Sequence, residues 1–164
     1  MNLKIEICEP SNYQTIADIY NEHIIQHYCT MELNLQTAND IESWVNDFND
    51  RERLYVLKKE EQVIGWGIIK KYSIRLGYYH ACEISIYLQK TATGNGYGPM
   101  FKKFLIEECK ALNYHHIVSK VWANNRASVR YNQKSGFTIV GTQKEIGYID
   151  GKWIDVVIMQ YLIK

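Results

Sequence analysis

A mixed α/β sheet flanked by helices is the fold class that three features of this 164-residue sequence predict. Runs with strand character and runs with helical character follow one another in the order β-α-α-β-β-β-α-β-α-β-β. Short polar turns join neighbouring strands near both ends, the mark of hairpins, while the middle reads strand–helix–strand, the mark of a parallel crossover. No repeat, linker or low-complexity segment interrupts the series, so residues 1–164 are expected to form one domain.

Residues 3–8, LKIEIC, alternate and predict the first strand. Ser11 is placed to cap a helix with Tyr13, Ile16, Tyr20 and Ile24 along one face. Residues 27–37 have no clear period and predict a loop. Asn39 or Asp40 is expected to cap a second helix, with Ile41, Trp44, Val45 and Phe48 at i, i+3, i+4 and i+7. Residues 53–59 and 62–72 predict strands around a polar Glu60–Glu61 turn, and residues 81–89 predict another strand. A glycine loop and a helix to about Leu112 follow. Residues 115–122 read as a strand and 125–135 as a helix, stopped by Gly136 in the C′ position. Residues 137–143 and 153–163 close the chain as strands, with Asp150–Gly151 as a hairpin turn between them.

Composition narrows the function classes. Apolar residues make up 46% of the chain and charged residues 23%, ordinary for a globular protein. A net charge of +1, with scattered basic residues, argues against a nucleic-acid binder. No apolar run reaches membrane-spanning length, and MNLKIEICEP lacks the layout of a signal peptide. Cys8, Cys29, Cys82 and Cys109 form no C-x-x-C pair, so no metal site is indicated and reduced thiols of a cytoplasmic protein are expected. The 13 tyrosines suggest a cleft lined with aromatic rings.

Chemistry enters at residues 93–100, TGNGYGPM. Gly94, Gly96 and Gly98 let backbone N–H groups approach a ligand closely. They lie where a helix begins, and a helix N-terminus has unpaired N–H groups and a partial positive charge. Together these predict a phosphate cradle. Pro99 suits the first helical turn. The spacing fits neither the G-x-x-x-x-G-K-[ST] loop nor the dinucleotide G-x-G-x-x-G loop.

With that loop, the element order resembles the GNAT acyltransferase superfamily over nearly the whole chain. The family loop runs Arg or Gln, two residues, Gly, one residue, Gly or Ala; here those positions are Thr93, Gly96 and Gly98. Thr93 departs from the pattern and is expected to offer its hydroxyl and N–H instead. WANNRASVRYNQKSGF is similar to the family's Asn-x-x-Ser…Gly-Phe segment, through Asn125, Ser128, Gly136 and Phe137. The stretches IYNEHI, TMELN, RLGYYHACEISIYL and GYIDGKWIDVVIMQ resemble most the phosphinothricin and methionine sulfoximine acetyltransferase branch. The resemblance implies acetyl-CoA as cofactor, a small amino-acid-like amine as acceptor and a homodimer. It places the cofactor on Thr93, Gly94, Asn95, Gly96, Tyr97 and Gly98, on Asn125, Ser128 and Tyr131, and on the strand residues Ile86, Tyr87 and Leu88.

Acyl transfer to an amine requires a neutral nucleophile, an aligned carbonyl and a donor for the developing oxyanion. The resemblance makes Glu83 the base, on a strand face shared with Ser85 and Tyr87. It places the oxyanion donor beside Tyr87–Leu88, where the family's strand bulges. Many members carry a tyrosine, and this branch often a histidine, at the position of Asn132, to protonate the leaving sulfur. Asparagine is no useful acid, and Tyr131 lies about 100° away around the helix. For the acceptor, Arg75 is the expected carboxylate clamp, although the branch's R-x-R reads Ser73-Ile74-Arg75 here. Glu32, Tyr78, Tyr148 and Trp153 are expected to complete its pocket. Two other readings stay open: an acetyltransferase of peptide or protein N-termini, and an acyl-CoA-binding module that Thr93 and Asn132 have made catalytically weak.

Overall fold

The computed structural model describes residues 2–164. Its elements are β1 (Leu3–Ile7), α1 (Tyr13–Gln26), α2 (Ala38–Asn46), β2 (Arg53–Lys59), β3 (Gln62–Lys71), β4 (Ala81–Leu88), α3 (Tyr97–Ala111), β5 (His116–Trp122), α4 (Arg126–Lys134), β6 (Thr138–Ile149) and β7 (Lys152–Leu162). This is the order predicted from the sequence. The strands form one sheet, β1-β2-β3-β4-β5-β7-β6, antiparallel except between β4 and β5.

Two caps differ from expectation. A 3-10 turn over Pro10–Asn12 precedes α1, and Asn12 Oδ1 accepts the Glu9 N–H at 2.8 Å, so Ser11 is not the cap. Thr37 caps α2: its Oγ1 accepts the Asp40 N–H while Asp40 Oδ2 accepts the Thr37 N–H. That reciprocal box satisfies two orphan donors at once, which neither Asn39 nor Asp40 could do as cap. Gly136 takes φ 95° at the end of α4, and Phe137 N–H bonds Asn132 O while Gly136 N–H bonds Gln133 O. This is the Schellman closure that a C′ glycine permits.

Each face of the sheet has its own core. Phe101, Leu105 and Cys109 of α3 pack on Ile69, Ile84, Ile117 and Val121. The Phe101 ring lies directly against the β3 backbone there, since a Cβ on Gly67 would lie 2.9 Å from Phe101 Cζ. On the opposite face, Ile16, Ile19 and Ile41 of α1 and α2 cover Leu54, Val56, Trp66 and Ile68. β6 runs six residues beyond the predicted stop at 143, across a bulge at 144–146 held by Asp155, which accepts the Glu145 N–H and pairs with Lys144. Among the described residues, no helix is long and apolar enough to cross a membrane.

The functional feature of this topology is a parting of strands. β4 and β5 pair only at Ala81, Cys82 and Glu83. Beyond Glu83, β4 stays with β3 as far as Leu88, while β5 follows β7 from His116 to Trp122. A wedge-shaped gap opens between them.

Candidate active site

The glycine loop lies at the mouth of this gap. Gly94 and Gly96 have φ of 79° and 78°, left-handed values that a side chain would strain. A Cβ on either would meet nothing within 4 Å, so the loop presents an open face. The N–H groups of Gly94, Asn95, Gly96 and Gly98 have no acceptor among the described residues. Asn95 Nδ2 braces the loop by donating to the carbonyls of Ala92 and Thr93, both at 3.1 Å. The hydroxyl and N–H of Thr93 both donate to the Lys90 carbonyl. They are spent inside the loop, and the cradle consists of the glycine-region N–H groups. Tyr97 starts α3 and is buried.

The gap itself is a cavity of about 100 Å³ bordered by β4, β5, α3 and α4. Gln89 N–H bonds Ile64 O, so by strand alternation the odd residues of β4 bond to β3 and the even ones face the gap. Tyr87 therefore spends its N–H on β3, while Ile86 and Leu88 turn theirs toward the gap. The β3–β4 register is unbroken from Cys82 to Leu88, so the expected bulge at Tyr87–Leu88 is not present; parting from β5 frees the N–H groups instead. His23 Nε2 donates to the Leu88 carbonyl at 2.7 Å, and its Nδ1 lies 3.2 Å from Cys29 Sγ.

Across the gap, Asn125 Oδ1 accepts the Ser128 N–H at 3.1 Å, capping α4, and both residues line the cavity. The Tyr131 hydroxyl donates to the Gly98 carbonyl at 2.6 Å and ties α4 to the glycine loop. Burial raises that hydroxyl well above its ordinary value, so Tyr131 is no acid here. Asn132 is fully engaged: Nδ2 donates to Ser128 O, and Oδ1 accepts from Lys102 Nζ at 2.5 Å and from Ser119 Oγ at 3.3 Å.

On the opposite face of β4, Glu83, Ser85 and Tyr87 line a cavity of about 440 Å³ together with Glu32, Lys70 and Trp66. Its wall is aromatic, as the tyrosine content suggested: the Tyr87 ring lies 4.7 Å from Trp66 and 4.9 Å from Tyr20. Trp66 is 2% exposed and its Nε1 has no hydrogen-bond partner, an unspent donor in the wall. Glu83 Oε2 lies 3.2 Å from Lys120 Nζ on β5. Ser85 and Tyr87 border both cavities, so the two meet at the edge of β4.

The GNAT acetyltransferase domain is the family whose model matches, over residues 5–158. The chain belongs to the GNAT acetyltransferase family. It is 27% identical over 162 residues to the L-amino acid N-acyltransferase MnaT of Escherichia coli K12, covering 96% of this chain and 92% of that one. It is 26% identical over 164 residues to the L-methionine sulfoximine/L-methionine sulfone acetyltransferase of Salmonella typhimurium LT2, covering 96% and 93%. Its fold is that of a GNAT superfamily phosphinothricin acetyltransferase from Sinorhizobium meliloti, solved in complex with AcCoA, with TM-score 0.93, 23% identity and coverage of 99% and 89%.

Within this GNAT domain, the residues expected around the cofactor and Glu83 converge on one place. The expected acceptor pocket is only partly assembled. Glu32 lines the cavity, but its Oε1 accepts the Leu33 and Asn34 N–H groups and shapes its own loop. Arg75 is exposed on the loop after β3, with no side-chain partner among the described residues. Tyr78 lines a separate groove over β5 and β7. Tyr148 and Trp153 pack against each other across the β6–β7 hairpin with tilted rings, centroids 4.7 Å apart, on its outer surface. These four do not enter the acceptor cavity within one chain, because β4 presents Glu83 to the α1–α2 face and their loops lie outside it. Sequence reasoning also missed Lys102, Trp66, Lys120 and His23. Only Lys102 left a signal, a charge on the apolar stripe between Phe101 and Leu105.

Proposed function

We propose that this GNAT enzyme transfers the acetyl group of acetyl-CoA to the primary amine of a small amino-acid-like acceptor, by direct attack in a ternary complex. The observation that carries this reading is the meeting of two cavities at Ser85 and Tyr87, with Glu83 on one side and the glycine cradle on the other. The N–H groups of Gly94, Asn95, Gly96 and Gly98 fit a pyrophosphate, and those of Ile86 and Leu88 fit the amides of the pantetheine arm and the acyl oxygen. Bound acetyl-CoA would supply the activated acyl group. Glu83 takes the amine proton, directly or through water. Lys70, which lines the acceptor cavity, supplies a donor for an acceptor carboxylate, the task expected of Arg75. The names of the MnaT and methionine sulfoximine relatives support the amino-acid-like acceptor.

We read residues 1–164 as one domain and the working form as a homodimer in the cytoplasm. Ile74 and Leu76, at 85% and 86% exposure, project from the loop that carries Arg75 and Tyr78. A second copy covering them would bury that face, and Arg75 and Tyr78 would then serve an acceptor only in the assembled dimer. All four cysteines are free thiols, as in a reducing compartment.

Thiol release from acetyl-CoA, assayed against methionine sulfone, methionine sulfoximine, phosphinothricin, free amino acids, polyamines and short peptides, tests the reading. Turnover is expected with the amino-acid-like class, and Glu83→Gln should lower kcat by about a hundredfold. Turnover of peptides alone would replace the acceptor class. Tight cofactor binding with no turnover of any amine would make this a binding module.

A further inference from the structure

Lys102 is a lysine on a core stripe. It lies on the buried face of α3 with Phe101, Leu105, Ile106 and Cys109, and is 4% exposed. Its Nζ donates to Asn132 Oδ1 at 2.5 Å and sits 5.2 Å and 5.0 Å from the centres of the Tyr131 and Phe137 rings. An ammonium has three N–H donors, so two remain beyond that bond. The cavity it borders is the gap between β4 and β5, and no carboxylate lines it. The titratable groups facing that cavity are Cys29, Tyr87, Lys102, Lys120 and Tyr131. Lys120 is paired with Glu83. Burial raises Cys29, Tyr87 and Tyr131, so all three stay neutral. A buried cation thus stands without a counter-anion, an arrangement that costs stability until an anion arrives.

We propose that Lys102 receives the coenzyme A sulfur as it leaves, acting as counter-ion to the developing thiolate and as its proton donor. This rests on the acetyl-CoA reading above. As the acceptor nitrogen bonds to the acyl carbon, the C–S bond breaks and its electron pair goes to sulfur. Lys102 Nζ passes a proton to that sulfur and becomes a neutral amine. Glu83 takes the proton shed by the acceptor nitrogen and releases it to solvent, and solvent restores Lys102 after the thiol departs. Burial brings the unliganded Lys102 down to about 7, so it gives up a proton readily, while a thiolate beside it favours the ammonium, and the pair holds one proton between them. Asn132 is then a positioning residue that holds Nζ through an amide fixed by Ser119 and Ser128.

Lys102→Met and Lys102→Gln test this. Both remove a buried charge, and a melting curve for each checks the fold. Calorimetry with coenzyme A and with dethio-coenzyme A, which has hydrogen in place of the thiol, separates sulfur from phosphate. Ultraviolet absorbance of the bound thiolate against pH gives a readout independent of turnover. The wild type should ionise bound coenzyme A at a lower pH than either variant, by about one pH unit or more. It should also favour coenzyme A over dethio-coenzyme A at alkaline pH, a preference both variants lose. In turnover, kcat should fall by about a hundredfold with KM for acetyl-CoA nearly unchanged. Equal weakening of both ligands would place Lys102 on the phosphates and overturn the proposal, as would identical thiol ionisation in all three proteins. A wild type that binds no coenzyme A would sink the acetyl-CoA reading itself; wild-type turnover with unaltered variants would sink only the role of Lys102.

Discussion

Lys102 holds its proton up to about 10.5 in a solvated chain but only to about 7 in the fold, because burial disfavours the ammonium. Between those values the unfolded state binds the extra proton, so stability rises as pH climbs through the window. Below about 7 both states are charged and the burial cost is present in full. Lys102→Met should therefore stabilise the ligand-free protein most in mildly acidic buffer, with the advantage shrinking toward about 10.5. Denaturant midpoints of the two proteins across that range check this, and a gap independent of pH would mean the charge is not the cause. The same residue shows how much of the site was legible one side chain at a time. Glu83 shares its strand face with Ser85 and Tyr87, as alternation predicts, and Asn125 and Ser128 line the gap. Asn132 was recognised as unable to act as an acid, but what engages it could not be read, because its partner lies 30 residues away on another helix.

At the scale of elements, turn chemistry explains both the successes and one residual strain. Asp150 and Gly151 take φ of 50° and 72°, the pair of left-handed residues a two-residue hairpin needs. Glu60 and Glu61 take φ of 50° and 68° in the equivalent β2–β3 turn, without a glycine. A glutamate pays for that conformation, whereas asparagine tolerates it. Glu60→Asn leaves the Lys4–Glu61 ion pair intact and should raise the melting temperature by about 1–3 °C. Calorimetry decides it, and a lower value would show that Glu60 is not strained. Cap positions were less legible. Residues 37–40 offer three polar candidates, and only the reciprocal bonding of Thr37 with Asp40 selects one. The far half of β6 escaped for a related reason: its bulge at 144–146 breaks the period-2 pattern on which strand recognition depends.

Across the whole molecule, exposed large apolar residues include several on the loop between β3 and β4. Ile74 and Leu76 on the loop after β3 are the most exposed large apolar residues described. If a second copy covers them, the wild type sediments as a dimer, and Leu76→Asp should yield a folded monomer with weakened acceptor turnover. A wild type that sediments as a monomer at assay concentration would remove the dimer and, with it, the role for Arg75 at an acceptor. The sequence by itself determined the order of elements, the parallel crossover and the glycine loop at a helix start. Each is encoded within a short span, by periodicity, by turn residues or by a helix start. Tertiary structure alone decided where β4 leaves β5, which N–H groups face the gap, that Lys102 bonds Asn132 at the gap, and that Arg75, Tyr78, Tyr148 and Trp153 lie away from the cavity. Those outcomes depend on how distant segments pack around a shared edge, and no local pattern specifies which side chains will meet there.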